Sequence, residues 1–185
     1  MLFCIFAEMK DRKLLNSELR RISAEQYREA EPSGVEVILD NIRSAHNVGS
    51  IFRSADAFRI DKIWLCGITP GPPSAELHKT ALGAEDSVGW EHKADAPSLV
   101  RELQEEGYRV IAVEQTEHSV KLGDFVREPG EKYALVFGNE VDGVSQETVD
   151  TCDFSLEIPQ FGTKHSLNVS VCAGVVLWAA TKDKF

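Results

Sequence analysis

The chain has 185 residues, 43% of them hydrophobic, and a formal net charge of −10. That length carries one domain with a sizeable core, and the hydrophobic share with mixed charge excludes a disordered chain. The acidic balance excludes indiscriminate nucleic-acid binding, which rests on a broadly basic surface, and leaves room only for a focused basic patch.

Residues 1–7 are apolar, yet they have no basic leader and are too short for a signal peptide or a membrane span, so a cytoplasmic protein is expected. Met9, heading Lys10, Asp11, Arg12 and Lys13, reads as a more natural beginning than Met1. Cys4, Cys66, Cys152 and Cys172 show no metal-type spacing and no pairing pattern, which predicts free thiols and no metal site.

Over residues 10–30, Leu14, Leu15, Leu19, Ile22 and Tyr27 recur at roughly helical spacing, predicting one or two amphipathic helices laid on the domain. A second reading makes this an RNA-contacting arm carried by Arg12, Lys13, Arg20 and Arg21. Pro32 and Gly34 break it. The chain thus divides into an N-terminal helical extension, 1–34, and a domain over 35–185.

Strands are predicted at 35–39, 62–66, 88–91, 109–114, 133–138 and 152–158. Helices are predicted at 45–58, with Asn47 and Gly49 in an opening turn, and at 78–85, 97–106, 145–149 and 167–180. Residues 118–131 read as irregular. The alternation gives an α/β fold, a mostly parallel sheet flanked by helices, with ligand expected at the carboxyl ends of the strands.

Three stretches share one layout, in which an apolar strand leads through a polar turn into a helix start. The first holds Arg43, Asn47, Gly49 and Arg53, the second Gly138, Asn139 and Glu140, and the third Ile158, Gly162, Ser166, Leu167 and Asn168. In the third, Ser166 is the candidate helix N-cap. Basic groups gather around them: His46, Arg59, Lys79, Lys164 and His165. Acidic groups dominate the middle, among them Glu102, Glu105, Glu114 and Glu117. Neither a dinucleotide fingerprint nor a P-loop is present, which counts against hydride transfer and nucleotide hydrolysis.

In this order the three stretches resemble the three motifs of the SpoU/TrmH class of RNA ribose methyltransferases in the SPOUT superfamily. The resemblance runs from about Val35 to the C-terminus, and the Lys79-Thr80-Ala81-Leu82-Gly83-Ala84 run adds to it. It implies a C-terminal trefoil knot, which composition and periodicity do not. It implies S-adenosyl-L-methionine as cofactor, contacted by Gly138, Ile158 and Leu167. It also implies transfer of a methyl group to a ribose 2′-hydroxyl, with Arg53 activating that hydroxyl and Ser166 and Asn168 lining the active site. Asn47 would orient the ribose or Arg53, and Glu140 would most simply hold an Arg through a bidentate pair. A guanidinium loses its proton only above about pH 12, so its use as a base near neutrality would cost on the order of 8 kcal/mol. A charged Arg53 that binds RNA phosphate and stabilises the developing alkoxide is therefore preferred.

The resemblance further implies a homodimer with sites near the subunit interface, and residues 169–178 offer a self-complementary apolar surface. RNA is the expected partner, tRNA ahead of rRNA, bound weakly and salt-dependently or with help from an accessory protein. One departure is Arg59, where the class commonly has Gly. Two alternatives stay open: a catalytically idle knotted RNA-binding or assembly protein, favoured by the acidic charge, and an unrelated doubly wound enzyme with Ser166 or Ser170 as nucleophile. The second lacks a G-x-S-x-G elbow.

Overall fold

The computed structural model describes residues 11–19 and 21–184. The expectations placed on Met1, Met9, Cys4 and Arg20 lie outside the described residues. The chain forms a seven-stranded sheet of order β3-β2-β1-β6-β4-β7-β5, made of β1 (Val35–Asp40), β2 (Lys62–Cys66), β3 (Gly89–Lys93), β4 (Tyr108–Val113), β5 (Val120–Lys121), β6 (Lys132–Gly138) and β7 (Phe154–Glu157). Every pairing is parallel. Such a sheet needs cover on both faces, which is why β1, β6 and the end of β4 are apolar with little interruption.

The alternation along β1 divides the core. Val35, Val37 and Leu39 join one cluster with Val48, Ile51 and Phe52 of α2 (Ala45–Ala57) and Ala173, Val176 and Leu177 of α7 (Val169–Thr181). Ile38 points to the other face and packs with Leu99, Val100 and Leu103 of α5 (Ala96–Glu105). The remaining helices are α1 (Ala24–Glu29), α3 (Ala75–Ala81), α4 (Ala84–Ser87) and α6 (Gln146–Thr151). The strand order accords with the knotted topology that the resemblance implies.

Several expectations are corrected. Among the described residues the N-terminal stretch forms only a 3-10 turn over Asn16–Glu18 and the six residues of α1, with Leu14, Leu15, Leu19 and Ile22 exposed. A helix so short is marginal without tertiary packing, and here one anchor is visible: the Tyr27 hydroxyl donates to the Ile60 carbonyl at 2.8 Å. The single helix expected at 78–85 is two, because Leu82 and Gly83 adopt left-handed backbone at φ 54° and 92°. Asn47 and Gly49 sit within α2 rather than in a turn before it, because Ser44 caps the helix by accepting from the Asn47 N–H.

Candidate active site

The loops that follow β1, β4, β6 and β7 gather at the carboxyl edge of the sheet, where the strand order turns from β1 to β6. This is where open α/β sheets take ligands. A cleft of about 480 Å³ opens there, within the ordinary range for small-molecule sites. Apolar walls come from Val113, Phe137, Leu156, Ile158 and Leu167, and Glu114, Glu140, Asp142 and Glu157 bring carboxylates to its lining. Six of the eight sequence-predicted residues line it: Gly138, Glu140, Ile158, Ser166, Leu167 and Asn168.

Gly138 ends β6 against the chain that returns into α6. A Cβ there would lie 2.0 Å from the Gly143 carbonyl carbon and 2.0 Å from the Val144 nitrogen, so no side chain fits. The intervening hairpin is closed by reciprocal bonds of 3.1 Å between Asn139 and Gly143. The Asn139 side chain accepts from the Val141 and Asp142 N–H groups, holding the loop from inside.

Asn47 lies just outside the cleft lining and connects it to α2. Its amide donates to Glu140 Oε1 at 2.7 Å and its side-chain oxygen accepts from the Asn168 amide at 3.1 Å. The Asn168 oxygen in turn caps α7, accepting from the Ser170 and Val171 N–H groups and the Ser170 hydroxyl. One hydrogen-bonded path therefore runs through all three sequence stretches. The cap expected at Ser166 is corrected: Asn168 holds that place because the helix begins at Val169, and Ser166 stays in the exposed loop lining the cleft.

The bidentate pair expected between Glu140 and an Arg is also corrected. The carboxylate accepts from the backbone N–H groups of Arg43 and Ser44 at 3.1 and 3.2 Å, besides the Asn47 amide. It thereby meets donors and the positive dipole end at the start of α2. Burial pushes the Glu140 carboxyl up, but the bonds from Arg43, Asn47 and Ser44 outweigh it and hold the group below its ordinary value.

Arg53 is not brought into the cleft. It is exposed on α2, six residues beyond Asn47 and so about 9 Å further along the helix. There it lines a second cavity with Lys79 of α3.

Sequence reasoning missed Glu114, which was grouped with the acidic middle of the chain. Its Oε2 accepts from the Val144 N–H at 3.1 Å, and a Cβ on Gly143 would lie 2.2 Å from the same oxygen. The available signal was its place at the carboxyl end of a buried strand. Gln115 was missed too; its amide donates to the His165 carbonyl at 2.9 Å and ties the β4 loop to the third stretch. Cys172 lines the cleft, where burial pushes its thiol up to about 11, so it is a neutral wall rather than a nucleophile.

The residues present fit S-adenosylmethionine. Apolar walls beside backbone suit an adenosine, and the carboxylates in the lining suit a cationic sulfonium and an ammonium tail. Among the described residues no group of His, Cys, Asp and Glu is placed to hold a metal ion. No helix among them is long and apolar enough to cross a membrane.

The profile of the SpoU rRNA Methylase family matches residues 34–178. The chain belongs to that family. It takes its place among the S-adenosylmethionine-dependent RNA 2′-O-methyltransferases. Among similar proteins, the 23S rRNA (guanosine-2′-O-)-methyltransferase RlmB of Vibrio vulnificus is 31% identical over 182 residues, covering 97% of this chain and 70% of the relative. Other curated relatives of the same name are matched over 55 to 60% of their length. The AdoMet-bound rRNA methyltransferase of Sinorhizobium meliloti superposes with a TM-score of 0.77 at 27% identity, over 86% of this chain and 60% of that one. The A. aeolicus TrmH/SpoU tRNA modifying enzyme gives 0.76 at 26% identity, over 87% and 82%.

Proposed function

We propose that the chain transfers a methyl group from S-adenosylmethionine to a ribose 2′-hydroxyl of ribosomal RNA. The observation that carries this reading is the path Asn168–Asn47–Glu140, which holds polar groups from three separate segments of the chain at the rim of a cleft suited to the cofactor. Gly138, Ile158 and Leu167 would hold the cofactor, which supplies a methyl group activated by its sulfonium.

A 2′-hydroxyl is a poor nucleophile, so the chain must position it and stabilise the charge that builds on its oxygen. Asn47, fixed at both ends of its amide, is the orienting group, and Glu140 is a positioning residue because its oxygens are already engaged. Ser166 and Asn168 face the acceptor side of the cleft. Arg53, charged, would hold an RNA phosphate and oppose the negative charge as the hydroxyl proton departs to water. Its place outside its own chain's cleft is in keeping with a site completed near a subunit interface.

A homodimer forms part of the proposal. Helix α7 is apolar almost all round, yet Val171, Val175 and Trp178 are 53%, 40% and 55% exposed at helical spacing. Trp178 packs on Phe58, which also lines the cavity that holds Arg53. The family match from residue 34 supports a methyltransferase domain over 35–185 with 1–34 as an extension to it. The cytoplasm, where bacterial ribosomal RNA is met, is the compartment proposed.

The curated relatives put ribosomal RNA ahead of the transfer RNA that the sequence reading favoured. Transfer RNA stands as the second reading, supported by the long overlap with the A. aeolicus enzyme. Incubation with methyl-labelled donor and unmodified total rRNA or tRNA, followed by digestion to nucleosides, tests both. A labelled 2′-O-methyl nucleoside from rRNA is expected, one only from tRNA would select the second reading, and donor binding without any RNA label would sink both. Arg53→Ala is expected to keep donor binding and lose transfer; unchanged transfer would remove Arg53 from the mechanism.

A further inference from the structure

The second cavity, about 480 Å³ between α2 and α3, is lined by Arg53, Lys79, Ser50, Ser54 and Thr80, and among the described residues its lining includes no carboxylate. In a chain of net charge −10 a lining with two cations and no acid is where an anion would settle. The hydroxyls do not serve that anion. Ser50 and Thr80 both donate to the His46 carbonyl, at 2.8 and 2.9 Å, and Ser54 donates to the Ser50 carbonyl at 3.1 Å. Their oxygens are left as acceptors, which suits a ribose hydroxyl, so phosphate recognition falls on Arg53 and Lys79.

The walls are fixed by a close helix crossing. A Cβ on Gly49 would lie 2.2 Å from both the Leu77 carbonyl oxygen and the Thr80 hydroxyl, so only glycine lets α3 approach this near. One of the two cations is already occupied from within. Lys79 donates to Glu76 Oε1 at 2.5 Å, and the other Glu76 oxygen faces His46 Nε2 at 3.1 Å. The Glu76 and Lys79 side chains are 52% and 61% exposed, so their pairing is solvent-screened and open to exchange.

We propose that this cavity is a subsite for a phosphate and ribose of the RNA backbone, and that Glu76 is a built-in competitor that the incoming phosphate displaces from Lys79. The proposal rests on the reading of the chain as an RNA methyltransferase. It goes beyond that reading by naming Lys79 as a specificity contact for RNA and Glu76 as a brake on RNA affinity.

The test is fluorescence anisotropy with a labelled single-stranded RNA of about 20 nucleotides, titrated between about 50 and 250 mM salt. Lys79→Ala is expected to weaken binding and to shallow the salt slope by about 0.7, the loss of one phosphate contact. Glu76→Gln is expected to tighten binding by about two- to five-fold at low salt. In the Lys79→Ala background, Glu76→Gln is expected to do nothing more. An unchanged slope in Lys79→Ala, or equal tightening by Glu76→Gln with and without Lys79, would overturn the subsite. Wild-type methyl transfer to rRNA, measured alongside, separates the two claims: transfer with an unchanged Lys79→Ala slope removes only the subsite, whereas a wild-type chain that neither binds nor methylates RNA removes the reading beneath it.

Discussion

Replacing Gly138 with Ala probes the tightest backbone approach in the site. The new Cβ would lie 2.0 Å from the Gly143 carbonyl carbon and the Val144 nitrogen and 2.2 Å from the Gly143 oxygen, all of them backbone atoms. Carbon contacts settle at about 3.5–4.0 Å, so the 139–144 hairpin would have to retreat by roughly 1.5 Å. That movement strains or breaks the 3.1 Å bond from the Val144 N–H to Glu114 and the paired bonds between Asn139 and Gly143. Overpacking costs about 1–3 kcal/mol and the bond to a carboxylate adds about 1.5–3, so about 2.5–6 kcal/mol is expected in all. At about 2–4 °C per kcal/mol for a chain of this length, that corresponds to a fall in Tm of about 5–24 °C. Cofactor affinity should weaken at least about tenfold, because the displaced hairpin is a wall of the cleft. Scanning calorimetry and titration calorimetry with S-adenosylmethionine read the two effects. Gly49→Ala is the control: its clash with Leu77 should lower Tm while leaving cofactor affinity within about twofold. A Gly138→Ala protein with unchanged Tm and unchanged cofactor affinity would refute the claim that this approach shapes the site.

Asn47→Ala removes the central link between Glu140 and Asn168, so kcat should fall by about 10–100-fold with the cofactor Kd within about threefold; a change confined to cofactor binding would move Asn47 out of the acceptor side. Glu140→Gln tests the pH dependence. The folded carboxyl sits below its ordinary value of 4.5, so its stabilisation is present above that pH and lost as pH falls through the lower folded value. The difference in stability between wild type and Glu140→Gln, about 1 kcal/mol at neutral pH for so exposed a group, should shrink on acidification below about pH 4.5, and a constant difference would count against the assignment. Trp178→Glu should weaken self-association at least about 100-fold in sedimentation velocity; a dimer that persists would place the interface elsewhere.

Most strand and helix positions from Val35 onward were legible in the sequence because a parallel sheet covered on both faces leaves long apolar runs, and Gly and Pro punctuate them; the two-residue β5, inside the stretch read as irregular, and the break between α3 and α4 were not. The three stretches were legible as well, since each pairs a buried strand with a polar turn. The N-terminal residues were less so. Spacing of Leu14, Leu15, Leu19 and Ile22 satisfies a helical period, but a short amphipathic segment becomes a helix only where a partner covers it, and these four remain exposed. The sheet order was decided by the tertiary structure, because pairing between strands far apart in sequence leaves no local trace.

The same division runs through the site. Residue types alone marked Asn47, Glu140 and Asn168 as polar groups in turns beside apolar strands. Only the fold decided that Glu140 faces the N–H groups of Arg43 and Ser44 instead of a guanidinium, that Asn168 and not Ser166 caps α7, and that Glu114 belongs to the cleft. It likewise set Arg53 about 9 Å along α2 from Asn47, in a different cavity. The physical reason is range: hydrophobic periodicity and capping act over a few residues and are written in the local sequence. A hydrogen bond between Asn47 and Asn168 depends on how the starts of two helices, with residues 121 positions apart, are carried to one edge of the sheet.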